Sequence, residues 1–322
     1  MEPPQAARTL PFGLLPWGLL GAAASVAAAL SLAGFLDGVF PALFFAPPFR
    51  AQYAVCLGLA AAVFAVGRRP RSAVACALFA ALNAAIVAPA YLPADQPANT
   101  GPTLRFLVAN TLRSNRDHAR LLALLAAEQP DVIVLSEVTP ALWESLAPIR
   151  GAYPHHRAEP RRDAFGIALL SRQPLVGIEL GGLGPLQRPW LRARLTTAAG
   201  ALQVVAAHPS PPARRELMEI TTVEMAELGR ELAVSEQPLV LLGDLNSTPW
   251  SSRFRELLST TGLRDSTRGF GLQPSFPVGL LPLRIPLDHA LVSSELEVLD
   301  RRLGPDIGAD HLPVILDLRL PR

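Results

Sequence analysis

Hydrophobic and polar positions divide this chain near residue 100. Before that point, residues 12 to 36, 51 to 67 and 72 to 92 form three nearly uncharged stretches. A helix crosses a bilayer with roughly 17 to 25 apolar residues. The pattern therefore predicts three transmembrane helices in an anchor covering 1 to 92. Pro41, Pro47 and Pro48 break the segment before the second stretch, and Arg50 limits its start. Residues 93 to 102, rich in Pro, Ala, Asn and Gly, read as a linker. From 103 to 322, short apolar runs that end in polar residues alternate with helical stretches. Strands are expected at 104–109, 131–136, 165–170, 202–207, 238–243, 287–292 and 313–318, with helices at 116–128 and 213–233. Their Val, Ile and Leu density implies strands buried on both faces, in an α/β arrangement long enough to bury a full core.

Composition follows the same division. Half the residues are hydrophobic and only 17 % are charged, and residues 1 to 100 hold just five arginines and three acids. All 29 basic residues are arginine, which excludes chemistry that needs a lysine amine. From 101 onward 24 arginines balance 24 acids, a poor electrostatic trap for polyanionic nucleic acid. Cys56 and Cys76 both lie in apolar runs, so the polar part of the chain has neither a disulfide of its own nor a thiolate nucleophile. Arg68, Arg69 and Arg71 crowd the short connection between the second and third stretches, which marks it as cytoplasmic. That puts the N-terminus, with Arg8, inside and everything after Tyr91 outside. A signal peptide is the rival reading of the first stretch, and it leaves two spans attached. Within the spans Asn83 is the main polar residue, which favours an anchor over a transport pathway.

Asn110, Glu137, His208 and Asp244 each follow an apolar strand immediately or within a residue or two, where α/β folds collect ligands. The segments VLLGDLNSTPW (240–250), IPLDHALVS (285–293) and GADHLPVILDL (308–318) resemble, in that order, the signature of the endonuclease/exonuclease/phosphatase superfamily. LVANT (107–111), PDVIVLSEV (130–138), GIALLSRQPL (166–175) and VVAAHPSPP (204–212) fall where that family has its other motifs. The resemblance implies a two-sheet α/β sandwich preceded by the three transmembrane helices. It extends to a membrane-anchored bacterial subgroup that includes proteins linked to glycopeptide-antibiotic resistance. Ser136 stands where Gln usually precedes the metal-binding Glu, Ala309 replaces Ser, and Ala207 replaces a frequent Thr. The acid that the family's nucleases pair with the residue matching His208 has only Asp163 and Glu159 as candidates.

By this resemblance Glu137, with Asn110 and Asp310, holds a hard divalent cation, Mg²⁺ or alternatively Mn²⁺. Asp244 orients and deprotonates the attacking water, and Asn246, two residues on in an extended stretch, donates to a phosphate oxygen or to that water. An Asx-turn is the alternative for this pair. His311 and His208 stabilise the transition state, and Asp288 accepts from the second ring nitrogen of His311. Alternation sends His289 to the opposite face as a packing histidine. His118, His155 and His156 read as surface residues, the last two in a loop; Arg161, Arg162, Arg188, Arg214 and Arg215 as solvated charge; Trp190 and Trp250 as core or rim.

The expectation is a Mg²⁺-dependent phosphoesterase anchored in the cytoplasmic membrane, with its catalytic domain outside. Tethering beside a bilayer raises the effective concentration of lipid headgroups, so a lipid-linked phosphate is the favoured substrate. An extracytoplasmic nuclease and a non-catalytic scaffold are the alternatives.

Overall fold

The computed structural model describes residues 15–235 and 238–322. Arg8 and the first residues of the 12-to-36 stretch lie outside them. Three helices open the described chain: α1 (Leu15–Ala33), α2 (Arg50–Val66) and α3 (Pro70–Val87). All three are long and apolar enough to cross a membrane, the second when extended back to Pro41. They share a seam of Tyr53, Leu57, Ala60, Phe64 and Cys76, whose spacing repeats every three or four residues along α2. The outward faces are apolar as well, with Leu19, Val26, Leu59, Val63 and Leu78 exposed. Such a surface suits lipid and not water. Between α1 and α2 the prolines start two short 3-10 turns, Pro41–Leu43 and Pro47–Phe49, because a proline at the first helical position loses no hydrogen bond there.

The rest is the expected two-sheet α/β sandwich. Its elements in chain order are β1 (Thr103–Asn110), α4 (Ala119–Glu128), β2 (Val132–Ser136), α5 (Pro140–Ser145), α6 (Ala147–Arg150), β3 (His155–Glu159) and β4 (Ile167–Ser171). Next come β5 (Leu175–Leu183), β6 (Arg188–Thr197), β7 (Gly200–Ala207), α7 (Arg215–Ala233), β8 (Leu239–Asp244) and α8 (Ser252–Thr261). The chain closes with β9 (Arg264–Asp265), β10 (Asp288–Val292), β11 (Glu297–Leu303) and β12 (Val314–Arg319). One sheet runs β11-β12-β1-β2-β4-β3 and the other β5-β6-β7-β8-β10-β9.

Period-two alternation explains the three apolar layers. Leu104, Phe106 and Val108 of β1 face the second sheet, together with Val204 of β7 and Val240 and Leu242 of β8. Leu107 and Ala109 face outward beneath Leu121, Leu124 and Leu125 of α4. Across the sandwich, Val205 and Leu241 pack under Met225, Leu228 and Leu232 of α7 and Phe254 and Leu257 of α8. A strand buried on both faces reads as a continuous apolar run, and all seven such runs in the sequence form strands. The unexpected strands are β6 and the four sheet edges, β3, β5, β9 and β11, where one side lacks a partner and polar residues are tolerated.

The helical bundle docks onto the sandwich by its connections. Asp37 Oδ2 accepts from the Ser252 backbone N at 2.9 Å and from its Oγ at 3.1 Å, capping the start of α8. Gln52 Nε2 donates to the Arg284 carbonyl at 2.9 Å. The backbone N–H groups of Gly269 and Gly271 both donate to the Ala90 carbonyl, at 2.9 and 2.8 Å. Residues 34–52 and 88–92 therefore face the sandwich, while the α2–α3 connection lies at the far end, where Arg69 stacks on Trp17 at 4.8 Å.

Candidate active site

Strand direction gathers the polar residues at one rim. β1 and β2 are parallel, as are β7 and β8, so Asn110, Glu137, His208 and Asp244 all leave the C-terminal ends of strands. β10 runs antiparallel to β8 with Asp288 opposite Asp244, so it contributes its first residue to the same rim. β12 runs antiparallel to β1, which brings the loop ahead of it, with Asp310 and His311, to the end of β1. The two sheets meet through Asn110, whose Nδ2 donates to Glu137 Oε1 and to Asp244 Oδ2, each at 3.1 Å.

Backbone geometry at this rim is unusual. Gly243 adopts φ +150°, and an added Cβ would come 1.9 Å from the Ala207 carbonyl oxygen, so only glycine lets β8 end against β7. Glu137 and Asn246 have φ values of +60° and +47°. Non-glycine residues held there cost on the order of 1–3 kcal/mol each and concentrate at functional sites. Asp244–Asn246 is consequently not extended as expected. The Asn246 N–H donates to Asp244 Oδ1 at 2.9 Å, closing the Asx-turn, and Asn246 Nδ2 donates to the Pro209 carbonyl at 3.0 Å. Asp244 Oδ2 still faces the cleft.

His311 and His208 differ in their support. Asp288, fully buried, hydrogen-bonds His311 Nδ1 through Oδ2 at 2.7 Å, which leaves Nε2 facing Asp244 Oδ2 at 3.6 Å. Burial disfavours the imidazolium, but Asp288, Asp244 and Asp310 outweigh it and push the His311 pKa up to about 10. In turn, burial pushes the Asp288 carboxyl up, while His311 and Ser275 draw it net below its ordinary value. His208 Nε2 also lies 3.6 Å from Asp244 Oδ2, but its Nδ1 has no partner among the described residues. Asp163 instead pairs with Arg161 at 2.7 Å, and Phe165 packs on His208 with centroids 5.5 Å apart. Among the described residues no carboxylate hydrogen-bonds His208 Nδ1.

The rim opens into a cleft of about 420 Å³. Asn110, Glu137, His208, Asp244, Asn246, Asp310 and His311 line it, and Asp288 sits behind His311. His289 points away into the core, with Nε2 2.8 Å from the Ser247 carbonyl and its ring 4.6 Å from Phe254. His155 and His156 belong to the edge strand β3 and not to a loop, and neither lines the cleft. Arg214 and Arg215 are exposed and lie near Glu216 and Glu219, while Arg188 stacks over Phe165 at 3.3 Å. Sequence reasoning missed one wall: Phe44, Phe45 and Phe49, from the α1–α2 connection. The run PALFFAPPFR carried a signal, since three phenylalanines beside the prolines are not needed to break a helix.

The donor set fits a hard divalent cation. Glu137, Asp244 and Asp310 converge, Asp310 Oδ1 is buried without a hydrogen-bond partner, and burial, then Glu137 and Asp244, raise the Asp310 carboxyl above its ordinary range. Oxygen donors of this kind suit Mg²⁺ or Mn²⁺. Asp244, Asp288 and His311 also cluster, with ligand atoms within 4.8 Å of one another, but both ring nitrogens of His311 face carboxylates, an arrangement for holding a proton.

A profile of the Endonuclease/Exonuclease/phosphatase family matches residues 106–311. The chain belongs to that family. No curated protein matches it significantly in sequence. Among solved structures, the endonuclease/exonuclease/phosphatase from Beutenbergia cavernae DSM 12333 is 24 % identical with a TM-score of 0.57, covering 68 % of this chain and 72 % of that one. D. rerio TDP2 complexed with single strand DNA product is 16 % identical with a TM-score of 0.57, covering 67 % of this chain and 99 % of that one. The human Nocturnin catalytic domain with bound sulfate anion is 18 % identical with a TM-score of 0.55, covering 69 % and 96 %. At these identities the endonuclease/exonuclease/phosphatase fold is what the likenesses share.

Proposed function

We propose that this protein is a membrane-anchored, divalent-cation-dependent phosphoesterase that hydrolyses a lipid-linked phosphate ester or pyrophosphate. The observation that carries the reading is the composition of the cleft: a floor of carboxylates and histidines from the sandwich, and a wall of Phe44, Phe45, Pro48 and Phe49 from between two membrane helices. Such a cleft suits an amphiphile whose phosphate meets the floor while its apolar portion meets the wall. No arginine lines it, and the chain has no lysine, so it lacks the row of cationic side chains that follows a nucleic-acid backbone.

Asp244 accepts the proton of the attacking water, its carboxylate being held by the Asn246 N–H and Asn110. His311, held by Asp288, and His208 donate to the non-bridging phosphate oxygens. Asn246 keeps one amide N–H free of its bond to Pro209 and supports the same phosphate. Glu137 and Asp310, with Asn110 beside them, would hold Mg²⁺ or Mn²⁺, which when bound supplies charge neutralisation to the phosphate. No side chain here acts as a covalent nucleophile; water does.

The test is hydrolysis by the full-length protein in bilayers, read as free phosphate or as phosphomonoester product, of lipid pyrophosphate, phospholipid, nucleotide and DNA, with Mg²⁺ or chelator. The lipid-linked substrates are expected to turn over fastest, chelation to stop them, and Mg²⁺ or Mn²⁺ to restore them. Faster DNA cleavage, falling steeply with salt, would promote the nuclease reading. For orientation, Arg68, Arg69 and Arg71 lie at the end of the bundle away from the sandwich, which supports a catalytic domain outside the cytoplasmic membrane. A reporter active only outside the cytoplasm is expected to work after Arg322 and fail within 68–71; the opposite pattern removes the outer-leaflet substrate.

A further inference from the structure

A second cavity, of about 380 Å³, lies between the bundle and the sandwich. The ends of all three membrane helices reach it, through Phe35 after α1, Arg50 at the start of α2, and Ile86 and Val87 of α3. The opposite wall comes from the sandwich, chiefly Trp250, Phe254 and Leu258. Three guanidinium groups line it, those of Arg50, Arg255 and Arg268.

Among the described residues none of the three forms an ion pair, and Arg50 stacks over the Phe35 ring at 4.4 Å. Arg50 is 1 % exposed; its Nη1 donates to the Ser31 carbonyl at 2.6 Å, to Ser31 Oγ and to Asn83 Oδ1, all neutral, and its Nε has no partner. Asp37, the acid nearest in sequence, binds Ser252 through Oδ2 and acts on Arg50 only from beyond ion-pair distance. Arg255 and Arg268 are exposed and form no ion pair among the described residues. Asp265 is the one carboxylate in the lining, and its Oδ1 accepts from the backbone N–H and hydroxyl of Thr267. A buried guanidinium with no directly paired carboxylate is costly, and an anion beside it relieves that cost.

We infer that this cavity binds the headgroup phosphate of an anionic phospholipid, separately from the catalytic cleft. Its position supports a lipid: it opens where the spans end, at the depth of lipid phosphates, with apolar walls for the glycerol and upper acyl chains and arginines for the phosphate. Arginine suits this role through its planar fork of donors. The site explains why an arginine opens α2 among apolar residues, and the lipid would brace the bundle against the sandwich at α8.

The experiment uses the full-length protein in nanodiscs of phosphatidylcholine with or without phosphatidylglycerol. After mild detergent extraction, native mass spectrometry is expected to find phosphatidylglycerol retained in preference to phosphatidylcholine. In an Arg255→Gln/Arg268→Gln double variant, both positions being exposed, retention is expected to fall roughly 10- to 30-fold. Turnover of a soluble phosphoester should stay within about twofold. Brominated phosphatidylglycerol should quench fluorescence that a Trp250→Phe variant lacks. Equal retention of the two lipids, or unchanged retention in the double variant, overturns the inference. Displacement of the lipid by millimolar inorganic phosphate overturns the lipid assignment in favour of the free ion. None of these outcomes depends on what the catalytic cleft hydrolyses.

Discussion

The floor and the wall of the catalytic cleft are built by different parts of the chain and by different physics. The floor residues leave strands whose positions are fixed by hydrogen-bond ladders, and they are tied to one another, as Asn110 is to Glu137 and Asp244. The wall hangs on a proline-rich connection between two long apolar helices, fastened to the sandwich by Asp37 on Ser252 and by Arg253 over the Phe44 ring at 3.9 Å. Strand ends can hold reacting groups to the fraction of an ångström that chemistry needs. A loop at a bilayer surface can instead bring an apolar face to whatever the bilayer presents. The lesson is a division of labour: the family's fold supplies the polar floor, and the apolar N-terminal part of the chain supplies the wall.

The largest expected effects are on the floor. Asp244→Asn and Glu137→Gln should each lower kcat by at least ~10²-fold, since each removes a charge at the reacting centre while leaving the packing volume nearly unchanged. Circular dichroism and thermal melting check the fold; kcat within tenfold of wild type in both variants breaks the assignment of chemistry to these residues. One step smaller is the asymmetry between the two histidines. Asp288 touches the cleft only through His311, so Asp288→Asn should cost roughly 10- to 100-fold in kcat with KM little changed. Asp163→Asn, on the side of His208, should cost less than about twofold. Equal losses in these two variants would show that His208 does have an acidic support. The smallest effect belongs to the wall. Phe45 lines the cleft yet is 52 % exposed, so Phe45→Ala should leave the fold intact. It should lower kcat/KM on a lipid-linked substrate by up to ~10-fold and change that on a soluble phosphodiester less than twofold. Equal losses on both substrates would fold the wall into the chemistry and erase the comparison.

Much of the floor was legible along the chain. Asn110, Glu137, His208 and Asp244 stood out because a polar residue directly after a doubly buried strand has few positions available other than the sheet rim. Asp288 and His311 were recognisable through their motifs, whereas their 2.7 Å contact depends on β10 and β12 running opposite to their neighbours in different sheets. The turn at Asn246 was harder to read, since an Asx-turn and an extended pair share one sequence pattern and only the left-handed φ distinguishes them. His155 and His156 were misplaced in a loop because β3 is an edge strand with little apolar content.

What the sequence determined by itself is whatever depends on local composition: three apolar helices, the two-faced strands of an α/β sandwich, the family motifs, and the absence of lysine. Tertiary structure alone decided that the α1–α2 connection reaches the cleft, that Phe165 packs on His208 while Asp163 pairs with Arg161, and that Arg50, Arg255 and Arg268 share one cavity. The physical reason lies in the range of the interactions. Burial periodicity and turn chemistry act over a few residues and leave their mark in order along the chain. The docking of residues 34–49 rests on contacts more than two hundred positions apart, such as Asp37 with Ser252, which need complementary faces on bundle and sandwich that no local pattern along the chain reports.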